Sequence, residues 1–331
     1  MELYYPAYYN TFRCIAADCP DSCCHEWTVD VDGASAAYYR SLSGPLGDRL
    51  RSVLNDTDGG TVMQIENGRC PMWRQDGLCR IHAELGHDAL CQTCRDFPRL
   101  RHDYGDFVEL GLELSCPEAA RLIFFDAHGA LLQQTQSGGS EPAYDTELMT
   151  LLLSSRKTAL DFLNNSTLPF GQTLAVLLLY AHDVQAQIDG AEPIPFAPQE
   201  LLAEAKGYAD TGDLALVLDF FQELEILIER WKTRLAQPAD LHLGTALLPL
   251  ARYMINRYWL QSVADYDLIS RVKLTIVSCL LVGALGGDLV TTAQLFSKEI
   301  ENDHDNLDRI LDGAYSSPAF TDVNLLSLLL G

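Results

Sequence analysis

The sequence predicts a mainly α protein in two unlike parts, a small irregular cysteine-rich α+β region followed by an all-α helical region. Three observations carry this. Nine of the ten cysteines fall between Cys14 and Cys116, and only Cys279 lies outside. The same stretch is punctuated by turn signals, Asp58-Gly59-Gly60, Asn67-Gly68 and Asp76-Gly77. From Thr146 onward Leu dominates, and apolar residues recur at spacings of three and four. The expected divisions are a cysteine-rich metal or iron–sulfur domain over 1–130, a linker over 131–145 and a helical domain over 146–331.

Within the first part, Thr28–Val31 reads as a short strand and Ala34–Leu54 as a helix interrupted near Gly44-Pro45. From Asp106 to Leu114, Val108, Leu110, Leu112 and Leu114 alternate with Phe107, Glu109, Gly111 and Glu113, so the aliphatic side chains share one face of a half-buried strand. The turn Asp103-Tyr104-Gly105-Asp106 makes that strand one arm of a hairpin. Pro117 suits the first turn of a helix running to Phe125. Gln133–Pro142 is polar and Gly/Ser-containing, the composition of a linker. Seven helices follow: Thr146–Leu163, Gly171–Ile188, Gln199–Ala209, Asp213–Leu235, Gly244–Ser262, Tyr266–Leu285 and Thr292–Asp303. In the fourth, Leu214, Val217, Leu218, Phe221, Leu224, Ile228 and Trp231 form one buried stripe. Pro193, Pro195 and Pro198 break the chain, and Pro249 is a candidate kink.

The chain has 331 residues and a net charge of −23, with five Lys against eighteen Arg. So acidic a surface repels phosphate backbones, which argues against nucleic acid as a partner. It suits solubility or a basic partner. The longest apolar run, Leu274–Leu285, is shorter than the roughly 20 residues a bilayer requires, so no membrane association is expected. The opening MELYYPAYYNTF has neither the basic nor the apolar segment of a signal peptide, which places the protein in the cytoplasm, where thiols stay reduced.

The cysteines form two runs. The first is Cys14-x4-Cys19-Pro-Asp-Ser-Cys23-Cys24-His25-Glu26-Trp27. The second holds Cys70-Pro, Cys79-Arg-Ile-His82, Cys91-x2-Cys94 and, further on, Cys116-Pro117. Cys91-x2-Cys94 is the spacing that lets two thiolates reach one metal group. Adjacent Cys23 and Cys24 point in different directions, which suggests two metal centres or one ligand beside a supporting thiol. All nine of these cysteines are candidate metal ligands, with His25, His82 and His87 as further candidates. Spacing leaves iron–sulfur and zinc equally open, with disulfides well behind. Cys19-x3-Cys23 begins the pattern of radical S-adenosylmethionine enzymes, but Glu26 stands where their third cysteine belongs.

At these residues the chain resembles a known family. Asn67-Gly-Arg-Cys70-Pro, Gly77-Leu-Cys79-Arg-Ile and Cys94-Arg-Asp-Phe97-Pro98 are similar to the broad group of cysteine-rich zinc- or iron-chelating proteins. The opening Tyr-Pro-x-Tyr and Cys14…Cys19-Pro-Asp-Ser-Cys23-Cys24-x-x-Trp27, the middle Cys91-x-Thr-Cys94-Arg-x-Phe97-Pro98-Arg99, and Leu114-Ser-Cys116-Pro117-Glu118 resemble the flagellin lysine-N-methylase (FliB) family. The resemblance covers about the first 125 residues. It implies transfer of a methyl group from S-adenosylmethionine to surface lysines of flagellin, and a [4Fe–4S] cluster held by the N-terminal cysteines. The alternatives are a non-catalytic zinc- or iron-binding protein and a cluster-containing redox protein.

Other residues carry weaker signals. Gly283-x-x-Gly286-Gly287 follows an apolar helix instead of a strand, so it reads as a helix end and not as a nucleotide loop. Tyr4, Tyr5, Tyr8 and Tyr9 suit packing of the N-terminal segment or the wall of a pocket. Trp27 and Trp73 are candidates to shield a cluster from water. Asp18, Asp21 and Glu26 lie beside the first cysteines, and Arg95, Asp96 and Arg99 flank Cys94, without any of them being marked as a base. Cys279, on an apolar helix, reads as a core thiol. No residue announces itself as catalytic or as a donor-binding group.

Overall fold

The computed structural model describes residues 1–24, 28–126, 129, 131–208 and 210–331. The expectations for His25, Glu26 and Trp27, and the final residue of the expected helix Gln199–Ala209, lie outside the described residues.

The first part contains strands β1 (Glu2–Pro6), β2 (Val29–Val31), β3 (Leu54–Thr57), β4 (Gly60–Met63), β5 (Arg99–Asp103), β6 (Phe107–Leu112) and β7 (Leu131–Thr135). Between them lie helices α1 (Gly33–Ser41), α2 (Gly44–Val53), α3 (Arg80–Leu85), α4 (Gln92–Asp96) and α5 (Pro117–Phe125). The helix expected over Ala34–Leu54 is indeed interrupted. Asp32 caps α1 by accepting from Ser35 N at 2.9 Å. Pro45 opens α2, and Gly47 packs so tightly on Leu42 that a Cβ there would lie 2.1 Å from its carbonyl oxygen.

Two sheets form. β2, β4 and β3 pair antiparallel in that order. The other sheet has the order β5-β6-β1-β7, with β1 parallel to β6 and antiparallel to β7. The expected β5–β6 hairpin is present. Its half-buried reading needs one correction. Both faces of β6 are covered, Phe107 packing into the large helical core and Leu112 against Phe12 and Cys116, so Phe107 and Glu109 are buried as well as Val108 and Leu112. Glu109 is accommodated by Arg156, whose Nη1 donates to it at 2.9 Å. The stretch 131–135, expected within a linker, pairs with β1 as strand β7.

The rest of the chain is helical: α6 (Thr146–Asn165), α7 (Phe170–Ile188), α8 (Pro198–Tyr208), α9 (Leu214–Gln222), α10 (Glu229–Ala236), α11 (Leu248–Tyr258), α12 (Ile269–Leu285), α13 (Leu289–Phe296), α14 (His304–Ser316) and α15 (Asp322–Leu330). Every residue of α12 is buried, Cys279 included, and α7, α11, α13 and α14 pack around it. Gly286 ends α12 at φ 58°, as its sequence context predicts. Pro249 sits in the first turn of α11 and does not kink it. No helix among the described residues is long and apolar enough to cross a membrane.

Two cores result. The large one unites the helices and extends through Phe107, Leu114, Ala120 and Ile123 of the first part, with Tyr4 and Tyr8 packed against it. The small one joins Val29, Val31, Tyr39, Leu50, Met63, Met72 and Ile81 to a group of thiols.

Candidate metal centre

Four separated segments bring all nine N-terminal cysteines to the wall of one cavity of about 640 Å³. Local backbone order aims each of them. Cys24 and Cys70 are joined by a hydrogen bond from Cys70 N to Cys24 O at 2.8 Å. Trp73 bridges to Cys79, and Arg80 N donates to Met72 O at 2.7 Å, closing the loop that carries Cys70 and Cys79. Cys79, Cys91 and Cys116 each stand at the residue preceding a helix, α3, α4 and α5 respectively. Backbone N–H groups of the first turns there point at sulfur: Ile81 and His82 at Cys79, and Glu118 and Ala119 at Cys116. Such contacts favour thiolate over thiol. Asp32 fixes the start of α4 by accepting from Gln92 N at 2.9 Å, so one carboxylate ties α1 to the Cys91–Cys94 turn.

The helical part closes the cavity. After α13 the chain widens into a π-helical turn, Ser297–Glu301, and that turn serves both sides. Lys298 reaches Asp21 at 3.1 Å in an ion pair whose side chains are only 8% and 15% exposed. Gln294 Nε2 donates to the same carboxylate at 2.9 Å and to Ser115 O at 2.7 Å. The loop between Cys19 and Cys23 is thereby pinned to the helices. Glu299 accepts from Ile228 N at 3.2 Å, holding Leu227 and Ile228 in the cavity wall. Glu301, pointing the other way, is fully buried between Arg257, Tyr253 and Tyr258. π-helical turns concentrate at functional sites, because the wider turn re-aims neighbouring side chains.

Lys298, Gln294 and the π turn were not read from the sequence. The sequence predicts one regular helix over Thr292–Asp303, and nothing in its periodicity marks the widened turn. Of the weaker candidates, His82, His87, Arg95, Arg99 and Asp21 line the cavity, whereas Asp18, Asp96 and Trp73 do not. Trp73 instead carries the Arg69 guanidinium over its ring at 3.9 Å. Tyr4, Tyr5, Tyr8 and Tyr9 are also absent from the wall.

The thiols strongly perturb one another. A hydrogen bond from Cys94 lowers Cys91 to about 7, while the shared proton and burial push Cys94 up. Cys70 is lowered by the hydrogen bond from Cys24. Cys24 itself rises to about 12: its hydrogen bond with Cys23 favours the thiolate, but the one with Cys70 and burial outweigh it. Its hydrogen bond with Cys24, then burial, pushes Cys23 up. Burial also pushes Cys116 up to about 12 and raises Cys19 and Cys79. So many crowded thiols resist losing their protons together unless cationic charge enters the space, and metal binding does this by releasing the protons.

A soft metal group suits this donor set. A lone zinc would need three or four donors converging at about 2.3 Å. Among the described residues, no group of three or more His, Cys, Asp or Glu side chains is placed to hold one ion in that way. The nine thiols line one cavity instead.

Against known proteins, the chain is 30% identical over 142 residues to the flagellar biosynthetic protein FliU of Salmonella muenchen, covering 82% of that protein and 40% of this chain. The chain belongs to the flagellin lysine-N-methylase family. It is 28% identical over 200 residues to the lysine-N-methylase of Salmonella typhimurium, and equally so to that of Salmonella choleraesuis. Those matches cover 56% of this chain and 49% of each enzyme, so the chain spans about half the length of the lysine-N-methylases it matches. No family model and no solved structure matches.

Proposed function

We propose that this family member is a protein-lysine N-methyltransferase, moving the methyl group of S-adenosylmethionine to surface lysines of flagellin. The observation that carries the reading is the meeting of nine cysteines from separate segments on one cavity, in a chain related to lysine-N-methylases. The transfer needs a neutral amine, whose lone pair forms the N–C bond as the C–S bond of the sulfonium breaks, and a site that excludes water. The ammonium proton leaves before attack, and a second proton leaves the methylated amine unless it stays charged. The net charge of −23 favours approach of lysine-bearing surfaces. Leu227 and Ile228, with Phe12 and Ile15, give the cavity apolar wall against which an amine loses its hydration and its proton more readily.

Four of Cys14, Cys19, Cys23, Cys24, Cys70, Cys79, Cys91, Cys94 and Cys116 would hold the [4Fe–4S] group that the family resemblance implies. When bound, such a group would supply an iron to which the donor's amino-carboxylate could bind, or a redox centre. The residues' own part is to orient and enclose: Asp21, Lys298 and Gln294 hold the Cys19–Cys23 loop, and Asp32 holds the Cys91–Cys94 turn.

Anaerobic purification with iron, sulfide and zinc analysis, followed by incubation with flagellin and methyl-labelled S-adenosylmethionine, tests this. Iron and sulfide in the protein with label on flagellin lysines is the expected result. Well-loaded protein that transfers no label overturns the methylase reading. Zinc alone in a colourless protein overturns the iron–sulfur assignment.

A further inference from the structure

We propose that the nine thiols build two metal centres, one from Cys14, Cys19, Cys23 and Cys116 and the other from four of Cys24, Cys70, Cys79, Cys91 and Cys94. This rests on the reading that the cavity holds metal, and it accounts for a thiol count that one four-cysteine cluster leaves unexplained.

Packing first sets five of the thiols apart from Cys116. Cys24, Cys70, Cys79, Cys91 and Cys94 all belong to the small core around Tyr39, Leu50 and Met72. Cys116 belongs to a different apolar group, with Phe12, Leu112 and Ala119. Hydrogen bonding separates them again. Gln294 Nε2 donates both to Asp21, between Cys19 and Cys23, and to Ser115 O, beside Cys116, so one side chain ties that loop to Cys116. On the other side Cys70 N donates to Cys24 O at 2.8 Å, and Trp73 bridges to Cys79. Cys23 and Cys24 form the border: their thiols are hydrogen-bonded, and Cys79 also lies within reach of Cys23. A dipeptide that contributes one ligand to each side explains why two adjacent cysteines occur at all. The two sets also have different supports. Asp21, pinned by Lys298 and Gln294, holds the loop of the four-thiol set to the helical part. The five-thiol set sits on β2, β4 and the starts of α3 and α4. On loading, each ligating thiol releases its proton to solvent, and iron and sulfide are supplied from outside the protein.

The test is anaerobic loading of the full chain with iron and sulfide, with metal counting, Mössbauer spectra and cysteine alkylation mapped by mass spectrometry. Two metal pools are expected in the unaltered protein. Cys116→Ser should lose about half of the metal and expose Cys14, Cys19 and Cys23 to alkylation, while Cys94→Ser should do the reverse. Graded chelation of the unaltered protein gives the same answer without a variant: two phases, each exposing its own set. A single phase that exposes all nine thiols together, or loss of all metal in both variants, overturns the partition. No bound metal at all overturns the metal reading beneath it. Failure of methyl transfer with both pools present overturns only the proposed activity and leaves the partition standing.

Discussion

The two halves of this molecule solve the same problem by different means. Around α12 the helical part buries long aliphatic side chains on every side, each fully buried Leu contributing about 1.5–3 kcal/mol. The region around Cys24, Cys70 and Cys91 has short strands, two helices of six and five residues, and a core in which sulfur replaces much of the hydrocarbon. Short helices of that size are not self-supporting. The difference says where the proposed metal would matter to stability: little to the helices and centrally to the cysteine-rich part.

The sharpest way to break that comparison is to remove the metal. Anaerobic chelation should abolish amide protection over 14–24 and 70–97 and leave α7 and α12 protected. Structural metal sites contribute on the order of 10 kcal/mol or more to folding, far above any single contact here. Hydrogen exchange read by mass spectrometry checks it, and uniform loss across both halves would remove the distinction.

The next largest effect lies on the helical side. Glu301 is the carboxylate that neutralises Arg257, at 3.3 Å, and accepts from Tyr258 Oη at 2.8 Å. Burial, with the Glu301 carboxylate and against the pull of Arg257, pushes both tyrosines well above their ordinary range, so they serve as neutral donors. Glu301→Gln leaves the guanidinium buried without its counter-charge and should cost about 3–5 kcal/mol. Urea unfolding followed by far-ultraviolet circular dichroism measures the loss, and bound metal should stay near the unaltered level in the variant that still folds.

Between the two halves stands the Asp21 contact. Asp21→Ala removes the acceptor of Lys298 and of Gln294 and should cost about 1–3 kcal/mol. Its effect should fall on the Cys14–Cys23 thiols more than on Cys91 and Cys94. Alkylation rates of the individual cysteines in the loaded protein report this directly. Equal acceleration at both sets would mean that the helical part braces the whole cavity and not one side of it.

How much of this was legible follows the same divide. α7 and α12 were readable because their apolar residues follow the helical period without interruption. The helix expected over Asp213–Leu235 was not continuous, although its apolar stripe is. Asn306 takes the Glu225 N–H at 3.0 Å and Glu299 takes those of Leu227 and Ile228, so distant side chains capture backbone groups that a helix would use. Leu214–Gln222 and Glu229–Ala236 survive as separate helices. α14 was overlooked, although Leu307, Ile310, Leu311 and Ala314 carry the period, because Asp and Gly dilute the pattern. β1 was overlooked because its partners β6 and β7 lie far along the chain. At the site, the cysteines declared themselves by type and spacing, and their convergence on one cavity followed that signal. Lys298 and Gln294 did not, since their role depends on a widened turn and on a loop at the other end of the sequence.

The smallest effect probes the cysteine-rich side from within. Asp32 accepts from Ser35 N and Gln92 N, and these backbone hydrogen bonds lower its carboxyl to about 2. A carboxylate lowered on folding stabilises the native state above its unfolded value of about 3.9, and that contribution disappears as pH falls through the folded value. The window is therefore roughly pH 4 down to 2, with no dependence from this group at neutral pH. Asp32→Ala should cost about 1 kcal/mol at pH 7, the ordinary worth of a helix cap. The difference from the unaltered chain should shrink as pH falls through that window. Protection of the Gln92 amide, followed by hydrogen exchange in both proteins, reads the contact itself. If that amide is equally protected in the variant, the Cys91–Cys94 turn is held by its own thiols and metal, and the capping carboxylate is dispensable to it.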